Sequence, residues 1–136
     1  MTWILVVDDD APTRDTVRLV LEDAGYHVLE ASDGGGALSK LAGASLPLVA
    51  LIDLLMPGMD GIDLLRSIVA DTRLAARHRY IGMTAAVGPV TPQAEALLGQ
   101  LRGTLLAKPF GMDTLLDAVA LASESLDALG QHTTSQ

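Results

Sequence analysis

WILVVDDDAPTRD, residues 3–15, sets an unbroken apolar run directly against three consecutive aspartates. The apolar residues read as a strand covered on both faces, and Asp-Ala-Pro after them reads as the head of a helix. Asp10 is then an N-cap, with Pro12 in the first turn, where a missing N–H costs nothing. One cap needs one carboxylate. Asp8 and Asp9 are left over at the end of a buried strand, and their mutual repulsion calls for water, a helix end or a cation.

Outward from this stretch the same rhythm repeats. Apolar runs at 3–7, 27–30, 46–52, 79–83 and 104–107 predict strands, and each is followed by residues with helical spacing. The predicted helices cover 11–25, 33–43, 61–70 or slightly beyond, 91–103 and 112–129. In the first, Val17, Val20, Leu21 and Ala24 share one face. Five strands alternating with five amphipathic helices, and central runs such as LVALI (48–52) apolar on both faces, predict a doubly wound α/β fold on a parallel sheet. The expected domain spans 1–129, with 130–136 a frayed polar tail after Gly130.

Composition narrows the function. A chain of 136 residues holds one ordinary domain, and a net charge of −8 argues against a nucleic-acid-binding surface. There is no cysteine, so no disulfide or thiolate chemistry, which fits a reducing, cytoplasmic compartment. No apolar run approaches the length that crosses a bilayer.

In doubly wound sheets ligands bind beyond the carboxyl ends of the strands. Those ends carry Asp8, Asp9 and Asp10, then Asp53, Thr84 and Lys108. Taken singly, each has a plain structural use: a cap, a turn residue, a strand threonine, a solvated lysine before Pro109 in a turn open to a cis bond. Taken together, Asp8, Asp9 and Asp53 make an acidic cluster suited to Mg²⁺, which accepts a few carboxylates and keeps several waters. The three glycines at 34–36 lack the Lys-Ser/Thr of a phosphate loop and predict no nucleotide site.

The phrases ILVVDDD (4–10), GYHVLEASDGGGAL (25–38), IDLLMPGMDG (52–61), MTA (83–85) and AKPF (107–110) resemble the response-regulator receiver domain of two-component signalling. The resemblance runs from Trp3 to about Leu126. It implies a flavodoxin-like (βα)5 fold with strand order 2-1-3-4-5. It further implies that Asp53 accepts a phosphoryl group from a sensor histidine kinase or histidine phosphotransfer protein. Asp8, Asp9, Asp53 and the backbone carbonyl of Leu55 would hold Mg²⁺, and Thr84 and Lys108 would bind the phosphoryl oxygens. The output would be a changed face formed by the helix at 91–103, the strand at 104–107 and the last helix, read by a downstream protein. Such a chain is no conventional enzyme, since it catalyses only its own phosphoryl uptake and slow aspartyl-phosphate hydrolysis.

Two departures stand out. Leu105 occupies the switch position where the family usually has an aromatic, and AAVGPVTPQ (85–93) predicts an extended loop before a helix starting near Thr91. The apolar residues there, with Leu105 and the last helix, are candidates for a partner or homodimer surface. Leu55 and Ala86, two positions after Asp53 and Thr84, offer no group to orient a hydrolytic water, which predicts a long-lived aspartyl phosphate. The competing reading is a pseudo-receiver that keeps the fold and signals without phosphate. A Mg²⁺-dependent phosphatase would want a second acid at position 55, and a flavin carrier would want more aromatics than this chain has.

Overall fold

A computed structural model describes residues 2–55, 61–85 and 90–134. Five strands form one all-parallel sheet in the order β2-β1-β3-β4-β5. They are β1 (Trp3–Val7), β2 (His27–Ala31), β3 (Leu48–Asp53), β4 (Arg79–Ala85) and β5 (Thr104–Lys108). The helices are α1 (Ala11–Asp23), α2 (Gly34–Gly43), α3 (Gly61–Ala70), α4 (Thr72–Arg77), α5 (Val90–Gln100) and α6 (Met112–Thr134).

The period of two in each strand divides the core. Leu5, Val7, Ala50 and Ile52 face the layer built by α2, α3, α4 and α5, whereas Ile4, Val6, Val49 and Leu51 face α1 and α6. Every residue of β3 is buried. Each fully buried Val, Leu or Ile contributes roughly 1.5–3 kcal/mol, so this central strand anchors both layers. Asp10 caps α1 as predicted, accepting from the Thr13 amide at 3.1 Å and also from the Thr13 hydroxyl. Asp33 caps α2 through Gly36 N–H at 2.7 Å. The carboxylate thus fills the head of the triple-glycine helix, where a phosphate would otherwise bind.

Three features depart from the sequence reading. The first helix stops at Asp23, and Gly25 takes φ +97 to turn the chain into β2. The third helix ends at Ala70, within the expected bounds, but a separate α4 that the sequence reading did not include begins after Asp71, whose carboxylate accepts from Arg73 N–H at 3.0 Å and Leu74 N–H at 3.3 Å. The last helix passes through Gly130 to Thr134 where a frayed tail was expected. One glycine costs a helix only about 1 kcal/mol relative to alanine and does not stop it. No helix among the described residues is long and apolar enough to cross a membrane. The MPGMDG loop at 56–60, Ala86 and most of the 85–91 connection lie outside the described residues, as do the side chains from 128 onward.

Candidate functional site

The parallel sheet delivers all its carboxyl ends to one edge, and there the predicted residues converge. Asp8 follows β1, Asp53 ends β3, Thr84 lies one residue from the end of β4, and Lys108 ends β5. Asp8 is 1% exposed and Asp53 7%, while Asp9 is open to solvent. One carboxylate oxygen from each of the three lies within 4.8 Å of the others. Lys108 Nζ spans the buried pair, 3.6 Å from Asp8 Oδ2 and 3.7 Å from Asp53 Oδ2.

These carboxylates are unequally satisfied. Asp8 Oδ1 accepts from Asp10 N–H at 2.9 Å and Asp53 Oδ1 from Leu55 N–H at 3.2 Å. Asp8 Oδ2 is fully buried, and among the described residues it accepts no hydrogen bond. Such an oxygen is expensive to bury unless a cation meets it, and Lys108 at ion-pair distance offers only part of the compensation. Burial raises the pKa of Asp53. The Leu55 amide and Lys108 oppose that rise, and Asp8 and Asp9 add to it. A divalent ion among the three carboxylates would reverse it, and the donor set of hard oxygens with one open side suits Mg²⁺.

Two supports were not visible as site residues in the sequence. Arg14, one turn into α1, donates from Nη1 to the Asp8 carbonyl at 2.8 Å and pairs with Glu30 of β2 at 3.1 Å. The loop carrying the acidic pair is thereby tied to the neighbouring strand, as it is by Asp8 N–H to Ala31 O at 3.1 Å. Gly61 starts α3 against the end of β3, where a Cβ would lie 2.3 Å from Leu54 Cα and 2.4 Å from the Asp53 carbonyl oxygen. Only glycine allows this approach. Gly61→Ala is expected to cost about 3 kcal/mol or more, because the obstacles are backbone, and to displace Asp53. The midpoint of urea unfolding checks the first effect and the amide NMR shifts of residues 53–55 the second.

Thr84 is buried at 4% exposure, in register with Ala107 beside Lys108. Leu55 is exposed at the mouth, in a groove between α1 and the β5–α6 connection that also exposes Asp53, Lys108 and Phe110. The Lys108–Pro109 bond is cis. Leu105 is half-buried and faces inward, packed with the α2–α5 layer. A Cβ on Gly82 would meet Leu98 Cδ1 at 2.9 Å, Leu54 Cδ1 at 3.1 Å and Leu105 Cδ1 at 3.4 Å. The glycine therefore leaves the space in which these three leucines meet.

Comparison with known proteins agrees with this architecture. A family model described as the response regulator receiver domain matches residues 4–120. The chain is 35% identical to the chemotaxis protein CheY of Pseudomonas aeruginosa, over 85% of this chain and 91% of that protein. It is 31% identical to the response regulator MprA of Mycobacterium ulcerans, over 96% of this chain, and spans only 62% of that longer protein. Among solved structures, a CheY-like response regulator receiver domain protein from Methanospirillum hungatei superposes with a TM-score of 0.73 at 30% identity. That match covers 90% of this chain and 94% of the other.

Proposed function

The chain belongs to the response regulator receiver domain family of two-component systems, and from that premise we propose that it accepts a phosphoryl group on Asp53 in a Mg²⁺-dependent reaction. The observation that carries the proposal is the buried Asp8 oxygen that accepts no hydrogen bond among the described residues, facing the same lysine as Asp53. That arrangement supports a cation site beside the acceptor.

Asp8, Asp9, Asp53 and the Leu55 carbonyl would hold the ion. When bound, Mg²⁺ neutralises charge on the carboxylates and the transferred oxygens. The protein's own contribution is alignment, because phosphoryl transfer asks little covalent chemistry of its catalyst. An Asp53 carboxylate oxygen attacks phosphorus. The new O–P bond forms as the P–N bond of a phosphohistidine breaks, and the leaving imidazole nitrogen keeps that electron pair. With acetyl phosphate the bond broken is P–O, and acetate leaves. Lys108 balances charge on the phosphoryl oxygens, and the Thr84 hydroxyl donates to one of them. The donor would be a sensor histidine kinase or histidine phosphotransfer protein in the cytoplasm. The added charge draws Thr84 toward it and shifts the face of α5, β5 and α6, which a downstream protein or a second copy of the chain reads.

Intact-protein mass after incubation with acetyl phosphate, with and without Mg²⁺, tests this reading. One phosphoryl adduct that forms only with the ion supports it. No adduct from acetyl phosphate or from a phosphorylated histidine donor would leave a pseudo-receiver, to which Leu105 in place of an aromatic lends weight. The same sample gives the adduct's lifetime. Leu55 is exposed beside Asp53 and carries no group to orient water, so the lifetime is expected to be minutes or longer and to shorten several-fold in Leu55→Asn. A lifetime of seconds in the unaltered chain would overturn the slow-hydrolysis reading alone.

A further inference from the structure

Arg79 begins β4 at the sheet edge opposite Asp53, five residues before Thr84, or about 16 Å of extended chain. It is 8% exposed. A guanidinium buried this deeply ordinarily has a carboxylate beside it, since an uncompensated charge is costly away from water. Here the partners are neutral. Nε donates to Ser125 Oγ at 2.8 Å, and Nη1 to the carbonyls of His78 at 3.0 Å and Ala76 at 3.4 Å. Among the described residues Nη2 makes no hydrogen bond, and no acid pairs with Arg79.

The neighbouring charge that acts on it most strongly is another cation. Burial, and after it the proximity of Arg102, lowers the proton affinity of Arg79. Arg102 sits exposed in the turn between α5 and β5, at φ 56, and likewise makes no ion pair among the described residues. Arg73 and Arg77 on α4 likewise make no ion pair among the described residues, so four of the chain's nine basic residues gather at one end of a protein of net charge −8, with Asp71, whose carboxylate caps α4, beside them. Carbonyls at the C-terminal end of α4 supply partial negative charge to Arg79 but not a whole counter-charge.

Arg79 and Arg102 both line a cleft of about 360 Å³. One face of α4 provides Thr72 and Ala75, and the end of α5 provides Gln100 and Leu101. We propose that this cleft binds a small organic oxyanion. Its phosphate or carboxylate group would lie between Arg79 and Arg102, its uncharged part on Ala75 and Leu101, with Gln100 and Thr72 as further polar partners. Arginine forks match both headgroups through paired N–H···O bonds, and a ligand of this charge supplies what Arg79 lacks. The site is remote from Asp53 and does not depend on phosphoryl chemistry there.

Amide NMR titration of the metal-free full chain with inorganic phosphate, and separately with citrate, at constant ionic strength, tests the proposal. Saturable shifts are expected at residues 72–79 and 100–104. Arg102→Asn removes the charge at an exposed position, and Asn tolerates the positive φ, so the fold is retained. Its affinity is expected to fall at least about tenfold through loss of a charge-assisted pair. Arg66→Gln, at an exposed α3 position, is expected to bind as the unaltered chain does. Saturation by phosphate alone assigns a phosphorylated ligand, by citrate alone a carboxylate, and by both a general oxyanion site. Linear shifts, or saturable shifts unchanged in Arg102→Asn, would overturn the proposal.

Discussion

Asp53→Asn is expected to take up no phosphoryl group from acetyl phosphate under conditions in which the unaltered chain forms a single Mg²⁺-dependent adduct. An amide has no anionic oxygen to attack phosphorus, and among the described carboxylates only Asp8 shares with Asp53 both burial and Lys108. Asp8 lies equally close to the lysine but belongs to the set that would hold the ion. An adduct that persists in the variant would move the acceptor to Asp8 or Asp9 and end the assignment.

The same substitution has an opposite effect on stability, which makes the prediction two-sided. The folded-state pKa of Asp53 is raised, chiefly by burial, so its contribution is fully present below the unfolded value of 3.8 and is lost as pH rises through the folded value. At neutral pH the ionised carboxylate therefore weakens the metal-free fold. Metal-free Asp53→Asn is expected to unfold at a higher temperature than the unaltered chain. Added Mg²⁺ is expected to raise the midpoint of the unaltered chain much more than that of the variant. Equal Mg²⁺ responses would show that Asp53 is not among the ligands.

Local chemistry explains which parts of this site were legible in the sequence. Asp8, Asp9, Asp53, Thr84 and Lys108 each end or follow a strand, and a parallel sheet brings such ends together whatever lies between them. Asp10 was legible because a cap is decided within four residues. Gly61 was not, because its necessity comes from the path of β3 beneath the first turn of α3, a contact between backbones that leaves no mark on side-chain pattern. Arg14 and Glu30 meet only because β2 lies next to β1, and the residues alone do not give strand order. The separate α4 after Asp71 was not legible for a different reason. The apolar spacing of α3 continues toward Leu74, and the aspartate's two amide bonds break the helix and restart it as α4. Arg79 reads as the polar start of a strand, with nothing in its neighbours to show that it is buried among neutral groups.

His78→Ala is expected to destabilise the fold by about 3–5 kcal/mol, a large share of the roughly 5–15 kcal/mol that holds a domain of this size. The imidazole is fully buried and joins three elements. Nδ1 accepts from Leu48 N–H of β3 at 2.9 Å, Nε2 lies 2.9 Å from the Leu41 carbonyl of α2, and the residue itself leads into β4. Because an amide donates to Nδ1, the proton sits on Nε2 and the ring is neutral. Alanine leaves a buried donor, a buried acceptor and a void, each with its own cost. The same geometry sets the sign of the pH effect. Burial lowers the His78 pKa, with Arg77 adding to the shift and the Leu41 bond opposing it. Protonation would place an N–H at Nδ1 against the Leu48 N–H, so the folded state resists the proton that the unfolded chain accepts near its ordinary pKa of 6.5. Stability is thus retained above about pH 6.5 and lost as pH falls through and below it, at up to about 1.4 kcal/mol per pH unit from this group. Urea unfolding at pH about 7.5 and about 5.5 is expected to show a steeper loss in the unaltered chain than in His78→Ala. Parallel losses in the two proteins would mean that His78 carries its proton in the fold, and that the pairing of Nδ1 with Leu48 is not the one that holds these elements together.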